Sequence, residues 1–151
     1  AWPRPARPRQ LRRLTMSAER ITYSLLSGAA AVTAIVGQRI YPMSLPEGQP
    51  LPCVVYDVVG QLERQTLTGG EATRMITAQV RVTAVASANA YASLVPLFNA
   101  AKSAMRLVNG TAAGINNVLA LITSQGQDLF DNERQLCIRT FDVKLMFNEP
   151  A

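Results

Sequence analysis

The residues able to do chemistry are few, and the tightest set is acidic. Asp128, Asp131 and Glu133 fall within the polar stretch QGQDLFDNE, residues 125–133. Carboxylates so spaced could bind a hard cation, or divide into the acid and base of a hydrolase. Against that stands the ordinary role of charged residues in a connection between two apolar runs, which is to be solvated. The chain contains no histidine, so the common general base and the commonest zinc ligand are both missing. Cys53 and Cys137 lie far apart in sequence, each in an apolar, strand-like setting that suits a buried free thiol; a disulfide between them stays open. The glycines of TGGEAT, residues 68–73, imitate a phosphate-cradling loop. That stretch lacks the lysine of such a loop and lies between two strand-like runs instead of opening a helix, so it reads as a hairpin turn. No catalytic, metal or cofactor-binding residue is assigned, no cofactor is expected, and an enzyme is not expected.

The elements that would carry these residues alternate between helical and extended patterns. Ile21, Leu25 and Ala29 keep helical spacing after Ser17, an N-cap candidate with Glu19 in the first turn, and Gly28 permits a break before AAAVTAIV, which Gly37 can cap. Prolines 42, 46, 50 and 52 then stiffen a connection from Tyr41 to Leu51, suited either to a fixed path across a subunit boundary or to a plain crossover. CVVYDVVGQLERQTL and RMITAQVRVTAVA read as a hairpin, the second strand alternating Val80, Val82 and Ala84 with Gln79, Arg81 and Thr83. Ser87 would cap a helix with Tyr91, Leu94, Val95, Phe98, Ala101, Met105 and Val108 as its stripe and Asn109-Gly110 as its end; Pro96 should kink or divide it. NVLALITS and QLCIRTFDVKLMF are two further strands, the last with Phe141, Val143, Leu145 and Phe147 on one face. The expected architecture is α+β: a mostly antiparallel sheet of about four strands with helices packed on one face.

At 151 residues the chain is about one domain long. It carries fifteen basic and ten acidic residues, but Arg4, Arg7, Arg9, Arg12 and Arg13 all lie in the first fifteen positions. Without them bases and acids balance at ten each, so the body is neutral and offers no basic face to nucleic acid. Residues 1–15, with three prolines and no apolar period, have the composition of a disordered basic arm, or are sequence upstream of the native start; residues 16–151 form a single domain. Basic residues before an apolar run imitate a signal peptide. Glu19 and the hydroxyls of ITYSLLSGAAAVTAIVG argue against it, and the run is short for a membrane span.

The order of these parts says more. A short helix leading into GQRIYP at residues 37–42, a proline-containing connection into PCVVY at 52–56, a hairpin, an amphipathic helix and a closing FDVKLMF strand together resemble the tail-completion, or tail-terminator, family of long-tailed bacteriophages and phage-like particles, over about residues 18–148. Pro96 and the basic arm depart from that pattern. The resemblance implies a non-enzymatic virion protein, a homo-oligomer forming a hexameric ring at the head-proximal end of the tail tube, where it stops tube growth. Its implied partners are the tail tube protein, a head-completion (stopper) protein and genome DNA passing through the ring without sequence-specific binding. It implies assembly in the host cytoplasm, location at the head-tail junction and no membrane. The exposed edges of the 53–67 and 133–147 strands are expected to meet neighbouring copies. Loops projecting from the sheet make Arg64, Gln65, Glu71, Arg74, Asp128 and Asp131 the interface candidates. The alternatives are a head-closure or tail-tube subunit, a nucleic-acid-binding protein acting through the basic arm, and a hydrolase built on Asp128, Asp131 and Glu133.

Overall fold

The computed structural model describes residues 17–43, 51–68, 71–126 and 128–150; for 65–68, 71–74, 109, 116, 149 and 150 it describes the backbone alone. Helix α1 (Ser17–Ser27) starts at the residue expected to precede it, a shift of one position, and buries Ala18, Ile21, Thr22 and Leu26. The Thr22 hydroxyl donates to the Ala18 carbonyl at 2.8 Å, which lets a buried polar side chain sit in an apolar layer. Gly28 follows, where a Cβ would stand 2.9 Å from the Ser24 carbonyl oxygen. Helix α2 (Ala30–Val36) buries Val32 and Val36 and ends at Gly37, whose φ of 61° lets its N–H return to the Thr33 carbonyl.

The two proline-flanked motifs that follow meet each other. Strand β1 (Ile40–Pro42) runs parallel to the start of strand β2 (Cys53–Thr68), pairing Ile40 with Val54 and Pro42 with Tyr56. Arg39 ties the same junction, donating to the Pro52 carbonyl at 2.9 Å and to the Ile35 carbonyl at 3.3 Å. GQRIYP and PCVVY are thus two sides of one contact. The middle of the proline-rich connection, 44–50, lies outside the described residues.

Strand β2 pairs antiparallel with β3 (Glu71–Ser87), which pairs with β7 (Leu136–Pro150), and β7 with β5 (Ile115–Gln125). Strand β4 (Leu107–Ala112) closes the far edge against β5, and β6 (Leu129–Asp131) continues beside β7 where β5 stops. The sheet has seven strands in the order β1-β2-β3-β7-β5-β4, with β6 on β7. This corrects two expectations: there are more than four strands, and the β1 pairing makes the sheet mixed. The α+β class and the helices on one face hold.

Helix α3 (Tyr91–Ala104) follows a 3-10 turn at Ala88–Ala90. The Ser87 side chain makes no capping bond there, and the N-cap position of α3 is Ala90. Pro96 neither ends nor divides the helix. At the sixth position its missing N–H costs one bond, to the carbonyl of exposed Ala92. Leu94, Leu97, Phe98 and Ala101 face inward, with the Phe98 ring edge-on to Phe141 at 5.4 Å. Met105 caps the helix, so Val108 and Asn109-Gly110 belong to β4 instead of the helix stripe and its end. Leu107 and Val108 read equally well in either period, and only the pairing with β5 decides between them.

The core fills the layer between the helices and one face of the sheet. Val80, Val82 and Ala84 of β3 and Phe141, Val143, Leu145 and Phe147 of β7 are all buried there with Ile21, Leu94 and Leu97. Burying each such large side chain contributes about 1.5–3 kcal/mol. On the other face, among the described residues, a smaller cluster lies at one end, where Cys53, Val85 and Leu136 pack with Tyr41, Leu51, Val55 and Ile138.

Candidate functional site

The hairpin of β2 and β3 pairs from Cys53 with Val85 to Thr68 with Glu71, and one residue divides it. Pairing runs regularly from Cys53 with Val85 to Val58 with Val80, then resumes at Gly60 with Gln79, leaving Val59 as a bulge. Before the bulge Val54, Tyr56 and Val58 share the helix-covered face; beyond it Gln61 and Glu63 occupy that side, and Leu62 turns to the open face, 58% exposed. Beyond the bulge Arg64 pairs with Met75, Gln65 with Arg74 and Thr68 with Glu71. Four of the interface candidates, Arg64, Gln65, Glu71 and Arg74, are therefore brought together by backbone register at the hairpin's far end. Arg64 is exposed; for the other three the backbone alone is described.

Asp128 and Asp131 lie at the opposite end. Asp131 pairs with Leu136 at the start of β7, whereas Arg74 pairs with Glu149 near its finish. At about 3.3 Å per residue the two groups stand roughly 40 Å apart along the strand. Neither carboxylate is free for chemistry. Asp131 accepts the backbone N–H groups of Glu133 and Arg134 at 3.0 and 3.2 Å, closing the turn between β6 and β7. Asp128 takes two hydrogen bonds from the Arg139 guanidinium, one of them 2.8 Å long, and a third from the Tyr91 hydroxyl at 2.7 Å. Arg139 also donates to the Tyr91 oxygen at 3.2 Å and lies 5.1 Å over the Phe98 ring. The hydrogen bonds from Arg139, then from Tyr91, hold the Asp128 carboxyl down at about 2. The bond to Asp128 in turn raises the Tyr91 hydroxyl above its ordinary value. What this arrangement does is fasten the segment before β6 to the first turn of α3 and to β7. Beside it Leu129 and Phe130 are 58% and 54% exposed on a three-residue edge strand.

The open face of the sheet has a polar band at its middle. Arg81 and Asp142 form an ion pair at 3.1 Å across β3 and β7, and Ser124 donates to the second Asp142 oxygen at 3.0 Å. Thr83 and Thr140 face each other at 3.4 Å in the next row. Exposed Leu62, Met75 and Leu121 lie toward the hairpin. The unpaired edges differ from expectation in one respect. Strand β2 has no described partner on its outer side beyond Tyr56, but β7 is interior, paired on both sides through most of its length, and the second outer edge is β4.

Both thiols are free and buried. Cys53 pairs with Val85 and Cys137 with Ala86, so β3 separates them, and they belong to cores on opposite faces of the sheet. Two strand spacings is beyond the reach of a disulfide. Burial pushes the Cys53 thiol up to about 11, with Arg39 opposing. Sequence reasoning missed Tyr91, Phe98 and Arg139 as members of the Asp128 cluster. The one available signal was Arg139 itself, a base on the side of β7 that otherwise reads Cys137, Phe141, Val143 and Leu145.

Among the described residues no helix is long and apolar enough to cross a membrane. A family model described as tail completion protein gp17 matches residues 22–148. No curated protein sequence matches the chain. Among solved structures, a chain of the virion of a native gene transfer agent particle is similar at a TM-score of 0.61 and 12% identity, over 85% of this chain and 92% of that one. At that identity the likeness concerns the fold.

Proposed function

Because the chain belongs to the tail completion protein gp17 family, we propose that this structural tail protein of a phage-like virion forms a ring at the head-proximal end of the tail tube. There it ends tube growth and joins the tail to the head. The observation that carries this reading is the separation of two unlike surfaces along β7. The hairpin end brings Arg64, Gln65, Glu71 and Arg74 into neighbouring register positions, while the opposite end presents Leu129, Phe130 and the Asp131 turn. A tube is an open stack of rings, so a subunit that stops it must bind the last ring on one side and offer something different on the other. One end would meet the tube protein and the other a head-completion protein, with the genome passing through the opening. The outer sheet edges, β2 and β4, are also unlike, which suits head-to-tail contacts between copies that close into a hexameric ring.

The test is to withhold the protein during particle assembly and image the products. Overlong or ragged tubes unjoined to heads, restored to normal by adding the protein, support the proposal. Tubes of normal length already joined to heads would overturn it. A head-closure role would leave tubes of normal length unattached, and a tube subunit would leave no tubes at all.

A further inference from the structure

One groove belongs to neither end of the sheet. The first two turns of α1, the last residue of β1, Tyr56 of β2 and Ala113 between β4 and β5 border an open groove of ≈ 480 Å³, lined by Glu19, Arg20, Tyr23, Ser24, Pro42, Tyr56 and Ala113. Tyr56 is buried and forms its floor; Tyr23 is 45% exposed, its ring 6.4 Å from that of Tyr56 and inclined at 51°. Glu19 pairs with no described base, and its charge is felt at the Tyr56 hydroxyl, whose pKa is raised by burial first and by Glu19 second. An exposed tyrosine face beside a proline ring and an unpaired carboxylate is the chemistry that receives a polyproline II segment bearing a base.

This chain carries such a segment. Pro3, Pro5 and Pro8 alternate with Arg4, Arg7 and Arg9, and Pro5-Ala6-Arg7-Pro8 has the spacing that puts two prolines on one face of a three-residue helix. The segment joins the fold at Ser17, two residues from Glu19. Helical side chains lean toward the N-terminus, so the Tyr23 ring is directed back toward that junction. Tyr23 lies only about 9 Å along the axis from Ser17, while residues 9–16 span roughly 25 Å when extended at about 3.1 Å each. That length suffices for a reversal that lays Pro5 and Pro8 along the groove. The other proline-containing connection, 44–50, has Glu47 and no base, so it has nothing to offer Glu19.

We propose that the proline- and arginine-rich segment 1–15 docks in this groove of its own chain, with its prolines on Tyr23 and Pro42 and an arginine on Glu19. The tether supplies an effective concentration in the millimolar range, so a contact too weak to hold a separate peptide is populated within the chain. The family match begins at residue 22; the segment and the Glu19–Arg20 wall lie outside it, and the proposal is independent of the ring.

Trp2 is the only tryptophan and reports the docking directly. Its emission, anisotropy and acrylamide quenching are measured in the full chain, in Tyr23→Ala and Glu19→Gln, in a Pro5→Ser, Pro8→Ser double variant, and in a free peptide of residues 1–15. Docking gives blue-shifted emission and reduced quencher access in the full chain at any protein concentration. Both effects are lost in Tyr23→Ala and in the double proline variant, and weakened in Glu19→Gln and by salt. The proline variant leaves the folded domain untouched, so its result stands whatever Tyr23→Ala does to stability. The same quencher access in the full chain as in the free peptide, or protection that survives the proline substitutions, would overturn the proposal. Protection that rises with protein concentration would overturn it in favour of docking on a second copy.

Discussion

Replacing Arg139 by alanine removes three things at once: the paired hydrogen bonds to Asp128, the bond to Tyr91 and the guanidinium over Phe98. The Asp128 side chain is 37% exposed and that of Arg139 22%, so the ion pair is discounted for solvent to about 0.2–1 kcal/mol. The contact with Phe98 adds about 0.5–1 kcal/mol. Arg139→Ala is therefore expected to cost about 1–2 kcal/mol, lowering Tm by roughly 3–6 °C in a domain of this size. Asp128→Ala should cost less, because it leaves the Phe98 contact in place. The double variant should fall short of the sum by about 0.5 kcal/mol, the part that belongs to the pair. Arg139→Lys should keep the charge and lose the two-pronged geometry, recovering only part of the loss. The pH dependence has a definite sign. Asp128 is held at about 2 against an ordinary 3.8, so its contribution is complete above pH 4 and disappears as pH falls toward 2. Urea melts of the parent and the four variants at pH 7 and pH 2.5, followed by circular dichroism, measure all of this. Strictly additive single variants, or an Arg139→Ala protein as stable as the parent, would refute the assignment of Asp128, Arg139 and Phe98 as one fastening.

Reversing the charges at Arg64 and Arg74 together should leave the melting curve unchanged and impair the joining of tails to heads, read by electron microscopy of assembled particles. Normal joining would remove the hairpin end from the contact surfaces. Phe141→Ala opens a void beneath Phe98 in the buried layer and should cost about 3–5 kcal/mol in the same urea melts. Cys53 and Cys137 should react with a thiol reagent at pH 8 only at the rate of unfolding. Because burial raises the Cys53 thiol from 9.0 to about 11, its contribution to stability is full below pH 9 and is lost as pH rises toward 11.

What could be read from the sequence was what local pattern controls. The alternation of Val80, Val82 and Ala84, and of Phe141, Val143, Leu145 and Phe147, marks two strands with one covered face, and both buried sets are as expected. Gly37 ends α2 because the chain needs a positive φ there. The features that escaped notice depend on partners distant in sequence. Strands β1 and β6 have three residues each, too few for a period, and exist because β2 and β7 lie beside them. Asn109-Gly110 has turn chemistry and yet runs inside β4, held by β5. The candidate contact residues rest on loop position alone. The hairpin four are gathered by register, but Asp128 and Asp131 turned out to hold their own end of the fold together, by contacts to Tyr91, Arg139, Glu133 and Arg134 that no spacing rule foretells.

The bulge at Val59 has a consequence for how such a protein changes over generations. One inserted residue acts as a half-cycle phase shift in a two-residue wave: inward and outward exchange places beyond it, while everything before it keeps its setting. The base of the hairpin stays locked to the hydrophobic layer, and the outer part is released from that obligation. Substitutions there alter what a neighbouring molecule meets without disturbing the layer beneath the helices. Loss of the single codon for Val59 would close the ladder from Val58 opposite Val80 straight to Gly60 opposite Gln79, leaving Leu62 and Arg64 on the open face; a one-residue change anywhere else in the strand has no such slack to absorb it.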